Sequence, residues 1–163
     1  MTSTHLFTGV ALVAVLGIAA GGRPARSEEP IRPARLDEPT PVGRWTTIDD
    51  KTGKPSSVVR IWEEDGKLKG AVESVVVAPG EDPNPKCTKC EGALKGQPIV
   101  GMTILWGLTH DGKRWSGGQI LDPDEGSTYS CRVEPVDGGA RLEVRGYVGI
   151  SLFGRTQTWI RAQ

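Results

Sequence analysis

Five short acid–glycine segments punctuate this chain: Asp50-Lys51-Thr52-Gly53, Asp65-Gly66, Asp111-Gly112, Glu125-Gly126 and Asp137-Gly138-Gly139. Glycine adopts the positive φ that tight hairpin turns demand, and runs rich in β-branched and aromatic residues lie between the segments. The pattern is that of antiparallel strands joined by hairpins. It predicts about eight strands, near 42–48, 56–63, 67–77, 99–109, 113–121, 127–134, 140–148 and 154–161. Beyond the N-terminal apolar run no sustained i, i+3, i+4 spacing occurs, so no long helix is expected. The 22 glycines and 12 prolines suit many sharp turns and little helix.

Several predicted strands alternate apolar and polar residues, the signature of a sheet with one face on a core and one on water. Leu68, Gly70, Val72, Ser74 and Val76 oppose Lys67, Lys69 and Glu73. Tyr129, Cys131 and Val133 oppose Thr128, Ser130, Arg132 and Glu134, and Leu142, Val144 and Val148 oppose Arg141, Glu143 and Arg145. Ile99 to Leu108 is apolar on both faces, with Val100, Met102, Ile104, Trp106 and Leu108 the heavier set. That strand is expected to be covered on its outside as well.

A meander of this kind forms either a two-sheet sandwich or a barrel, and the two ends decide between them. Gly43-Arg44-Trp45 opens the strand region and Gly154-Arg155-Thr156-Gln157-Thr158-Trp159-Ile160-Arg161 closes it. Pairing of the first strand with the last removes both edges. A guanidinium stacked on the Trp45 ring would be worth roughly 0.5–2 kcal/mol beyond burial. The expectation is therefore an all-β chain: a single antiparallel up-and-down β-barrel of about eight strands, closed by Trp45 and Arg161 in a structural role.

Lys and Arg number 20, as do Asp and Glu, so no basic field exists to attract nucleic acid. Leu6 to Ala20 is an almost uncharged apolar run, too short for a comfortable membrane span and placed where a secretory signal core belongs. We read 1–27 as a secretory signal peptide, 28–41 as an extended, proline-rich tether, and 42–163 as the barrel domain. The expected address is periplasmic or secreted.

By period 2, Arg155, Gln157, Trp159 and Arg161 share one face of the last strand. If that face is inward, Arg155 is a charge that needs a partner. A ligand carboxylate could supply it through a bidentate fork. Alternatively the face is outside, or Glu73, Glu143 or an aspartate neutralises the arginine within the protein. Cys87-Thr88-Lys89-Cys90 lies in the longest loop, without the βαβ context of a redox motif and without further ligands at zinc spacing. In an oxidising compartment it is expected to be a disulfide, leaving Cys131 as a small buried hydrophobe. The acids of Asp122-Pro123-Asp124-Glu125-Gly126 fail the calcium-loop pattern and read as a solvated turn. His110 sits in a turn with no nucleophile context. Ile150, Leu152 and Phe153 form the one turn with exposed apolar residues, which either covers a barrel mouth, meets an envelope protein, or folds back on its own barrel.

Gly43-Arg44-Trp45 with a terminal arginine resembles the calycin signature shared by lipocalins and fatty-acid-binding proteins. The stretches 45–53, Ile120-Leu121-Asp122-Pro123, Gly126-Ser127-Thr128-Tyr129, Arg145-Gly146-Tyr147 and 154–161 resemble the bacterial exported family catalogued as domain of unknown function 2147. The resemblance covers about Pro41 to Arg161 and implies a small lipocalin-like barrel in the envelope of a Gram-negative bacterium. It carries no established reaction, and no enzyme, metal or cofactor is expected. The function expected is binding of a small apolar or amphipathic, fatty-acid-like molecule by a monomer, with Trp106, Tyr129, Val144, Arg155 and Gln157 lining the site. The alternative is a barrel filled by its own side chains, acting as a structural or protein-interaction module.

Overall fold

The computed structural model describes residues 39–163. The expected signal peptide and nearly all of the tether lie outside the described residues. Eight strands follow one another: β1 (Gly43–Ile48), β2 (Pro55–Glu64), β3 (Lys67–Val75), β4 (Thr103–His110), β5 (Trp115–Asp122), β6 (Ser127–Val136), β7 (Arg141–Tyr147) and β8 (Gly154–Arg161). Each pairs antiparallel with its neighbours, and β1 pairs with β8, so the sheet is a closed barrel. Two single turns of 3₁₀-helix, Gly92–Leu94 and Asp137–Gly139, are the only helical segments among the described residues.

The turn chemistry acts as the sequence predicts. Asp65 and Gly66 both take positive φ between β2 and β3, while Asp49 accepts the Thr52 N–H and hydroxyl at 2.7 Å to shape the β1–β2 turn. Inside the barrel, Trp45, Val59, Leu68, Leu105, Leu108, Cys131, Val133 and Leu142 are fully buried. Each such leucine or valine contributes about 1.5–3 kcal/mol relative to exposure.

In an up-and-down barrel the connections alternate between the two ends. The start of β1, the end of β8 and the β2–β3, β4–β5 and β6–β7 turns therefore share one end, and the β1–β2, β3–β4, β5–β6 and β7–β8 connections share the other. The first end is shut. Arg161 lies over the Trp45 ring, and its guanidinium donates to the carbonyls of Gly139 (2.5 Å), Val42 (3.2 Å) and Thr40 (2.7 Å). The Trp45 indole donates to the Pro41 carbonyl at 2.7 Å.

Bulges overturn two face assignments made from strict alternation. Val58 pairs with Ser74 but Val59 with Val72, which leaves Glu73 unmatched and shifts the following residues by one. Val75 consequently packs on the core and Val76 is 58% exposed, the reverse of the expected order. On β4 the register slips twice, at Ile104 and at Gly107, where φ is 78°. Ile104, Leu105 and Leu108 are buried, while Trp106 turns to the outer surface and donates its indole N–H to Gln119 at 3.1 Å. β4 also starts later than expected. Residues 99–102 form a turn, closed by Met102 N–H to Ile99 O at 3.0 Å with Gly101 at φ 87°.

Candidate functional site

The open end leads into a cavity of about 470 Å³. That falls in the range of small-molecule sites, and an eight-stranded barrel can be wide enough to hold one small ligand. Ile104 (β4), Ile120 and Leu121 (β5), Val144 (β7) and Trp159 (β8) supply apolar wall, and Val148 and Phe153 stand at the mouth. Thr47 and Ser57 add a small polar patch, their hydroxyls 2.7 Å apart.

β8 carries the polar thread of the site. No bulge interrupts it, so Arg155, Gln157, Trp159 and Arg161 do share a face: Arg161 at the shut end, Trp159 in the core, and Gln157 and Arg155 along the cavity wall. Trp159 donates its indole N–H to Gln157 Oε1 at 3.2 Å, and Gln157 donates to Asp50 Oδ2 at 3.1 Å. Arg155 forms an ion pair with the same Asp50 oxygen across the rim, with both side chains partly exposed. Of the partners weighed from sequence, it is an aspartate that neutralises Arg155. Glu73 instead holds Arg44 on the outside of the barrel, which lowers the Glu73 pKa chiefly through the hydrogen bond.

The β5–β6 turn, read from sequence as a solvated hairpin, forms another side of the mouth. Asp122 Oδ1 accepts the N–H groups of Asp124 (2.9 Å) and Glu125 (3.2 Å). Burial raises the Asp122 pKa above the ordinary carboxylate value, and those two N–H bonds oppose the shift. Tyr129, lining the cavity below, donates its hydroxyl to Glu125 at 2.6 Å, and this hydrogen bond to a carboxylate raises the phenol pKa. Against this turn packs the long β3–β4 loop. Its Cys87–Cys90 disulfide is formed, both cysteines are buried, and Cys87 Sγ touches the Pro123 carbonyl at 3.2 Å.

Of the five residues expected to line a ligand site, Tyr129, Val144, Arg155 and Gln157 line this cavity. Trp106 does not. The Gly107 bulge places it in a separate, shallow hollow with Gly117, Gly118, Gln119 and Ser130. His110 is exposed and packs at a tilt against Trp115, with ring centres 5.3 Å apart and ring planes at 56°. Sequence reasoning missed Thr47, Ser57, Ile104, Asp122 and Glu125. Counting hairpins could have found the acids, because the β5–β6 turn must share an end with the β7–β8 turn.

Among the described residues no group of three His, Cys, Asp or Glu side chains is placed to hold a metal ion. Nor is any helix there long and apolar enough to cross a membrane.

A family profile described as "Uncharacterized protein conserved in bacteria (DUF2147)" matches residues 43–161, from the first residue of β1 to the last of β8. The chain belongs to this family. The DUF2147 barrel is lipocalin-like: it is similar to the solved structure titled "Protein HP1028 from the human pathogen Helicobacter pylori belongs to the lipocalin family". The TM-score is 0.65 at 26% identity, covering 75% of this chain and 82% of that one. No curated protein sequence matches the chain.

Proposed function

We propose that this DUF2147 protein is an exported carrier that holds one small apolar or amphipathic molecule in its barrel. The observation that carries the reading is the cavity of about 470 Å³, floored by Trp159 and walled by Ile104, Ile120 and Val144. A disulfide in the β3–β4 loop supports an oxidising address such as the periplasm or the cell exterior. We assign no reaction to the site. The side chains of Asp122 and Glu125 are already engaged by turn N–H groups and by Tyr129. Of the fatty-acid-like guest expected from sequence, the geometry supports the apolar tail. The carboxylate does not find a free Arg155, since Asp50 occupies it.

Titration with the uncharged dye N-phenyl-1-naphthylamine tests the reading. A saturable, one-to-one rise in fluorescence is expected, competed by long-chain alcohols and abolished by Val144→Phe, with thermal unfolding showing that the variant remains folded. Absence of saturable dye binding, together with native mass spectra of the envelope-purified protein that carry no small molecule, would sink it.

A second reading, a protein-interaction role, rests on the β7–β8 tip. There Ile150, Leu152 and Phe153 are 61%, 74% and 70% exposed, although Arg145 fixes the tip by donating to the carbonyls of Ser151 (2.8 Å) and Leu152 (3.2 Å). An exposed apolar tip of this kind suits a partner surface. Partner recovery from envelope extract that is unchanged by Leu152→Ser with Phe153→Ser would exclude it.

A further inference from the structure

The charged groups lining the cavity are Asp49, Asp122, Asp124, Glu125 and Arg155, four carboxylates to one guanidinium. The guanidinium already has its counter-ion in Asp50, which also accepts from Gln157. None of the four carboxylates forms an ion pair with a described residue. Asp49 is turned into its own hairpin, where it binds Thr52. Asp122, Asp124 and Glu125 all stand on the one β5–β6 turn, above the apolar wall of Ile120, Leu121 and Tyr129. The lysines of the adjoining loops, Lys51, Lys54, Lys86, Lys89 and Lys95, are exposed and do not line the cavity.

Acids on a surface turn are ordinarily no site. Here the cavity beneath them calls for a guest, and the acids set only the sign of its polar end. A concave, low-dielectric wall focuses the field of like charges toward its mouth. A carboxylate head would meet three like charges on one side and a neutralised arginine on the other. A protonated amine would meet acceptors able to form charge-assisted hydrogen bonds.

Resting on the binding reading above, the geometry points to a cationic amphiphile as the guest: an ammonium head held at the rim by Asp122, Asp124 and Glu125, with its aliphatic tail in the cavity against Ile104, Val144 and Trp159. The arginine on β8 does not read the head. Its pairing with Asp50 removes the anion site that Arg155 would otherwise form.

Calorimetric titration of the full chain near neutral pH with dodecylamine, dodecanol and dodecanoate, each kept below its aggregation threshold, tests this. Dodecylamine is expected to bind at least about tenfold tighter than dodecanoate, the size of one charge-assisted hydrogen bond, with dodecanol between them. The isosteric triple change Asp122→Asn, Asp124→Asn and Glu125→Gln keeps the hydrogen-bond acceptors and should erase the preference for the amine over the alcohol. Asp50→Asn unpairs Arg155 and should raise dodecanoate affinity about tenfold. Dodecanoate binding as tightly as dodecylamine, or tighter, overturns the cationic head while leaving the carrier reading intact. If none of the three binds, the carrier reading itself fails. The wild-type panel decides the matter even if the triple variant does not fold.

Discussion

The guanidinium carbon of Arg161 lies 4.1 Å from the centre of the Trp45 ring, and the two residues are also cross-strand partners where β8 meets β1. Stacking and three carbonyl acceptors converge on this one side chain. Arg161→Ala removes the stack and leaves those carbonyls without a donor, at a cost of roughly 2–4 kcal/mol. Arg161→Lys keeps the charge and loses the fork, so it should recover less than half of that. Urea unfolding followed by circular dichroism measures both. An alanine variant within 0.5 kcal/mol of wild type, roughly the scatter of a neutral surface change, would remove the closure from the account of stability.

Gly43 owes its identity to the same arginine. Its φ is 138°, a region L side chains avoid, and a methyl group there would stand 2.7 Å from Arg161 Nη1. Gly43→Ala is therefore expected to destabilise by roughly 1–3 kcal/mol. Part of that cost is the displaced guanidinium, so the same change should be milder in an Arg161→Ala background. Equal costs in the two backgrounds would show that backbone strain alone fixes the glycine.

The disulfide loop and the β5–β6 turn form one unit. A methyl at Gly126, where φ is 70°, would run into the Lys89 carbonyl and the Cys90 nitrogen. Gly126→Ala should cost roughly 1–3 kcal/mol and Cys87→Ala with Cys90→Ala about 2 kcal/mol. Combined, they should cost less than the sum by about 0.5 kcal/mol or more, because each undocks the same loop. Strict additivity would show that the loop and the turn are energetically separate.

Burial pushes the Cys131 thiol pKa up to about 12 from its ordinary 9.0. The folded protein thus keeps the thiol proton where the unfolded chain releases it. This contribution to stability is whole below about pH 9 and is lost as pH rises toward 12, at about 1.4 kcal/mol per pH unit. The stability advantage of wild type over Cys131→Ala should shrink accordingly between pH 9 and 11. Iodoacetamide should label Cys131 only at the rate of unfolding. Rapid labelling under native conditions at pH 8 would contradict this.

The order of strands was legible because turn chemistry is local: an aspartate–glycine pair announces a hairpin wherever it occurs. Faces were legible only while alternation ran unbroken. β8 has no bulge, and the shared face of Arg155, Gln157, Trp159 and Arg161 was read correctly. On β4, Gly107 takes positive φ and absorbs one residue of register, so Trp106 moves outside. A glycine within a strand is itself the signal of such a slip. The partner of Arg155 was not legible, since Asp50 reaches it across the seam from a turn more than one hundred positions earlier. Nor was the acidity of the mouth, which arises because alternate hairpins gather at one end of a barrel.

Residue pairing between β1 and β8 comprises only Trp45 with Arg161 and Thr46 with Ile160, and the Ala162 N–H to Arg44 carbonyl bond extends it toward the shut end. Above that no residue pairing joins the two strands, and near the mouth the carboxylate of Asp50, just beyond β1, holds Gln157 and Arg155 of β8. Near the mouth the seam is therefore held by side-chain contacts rather than by rungs of the ladder.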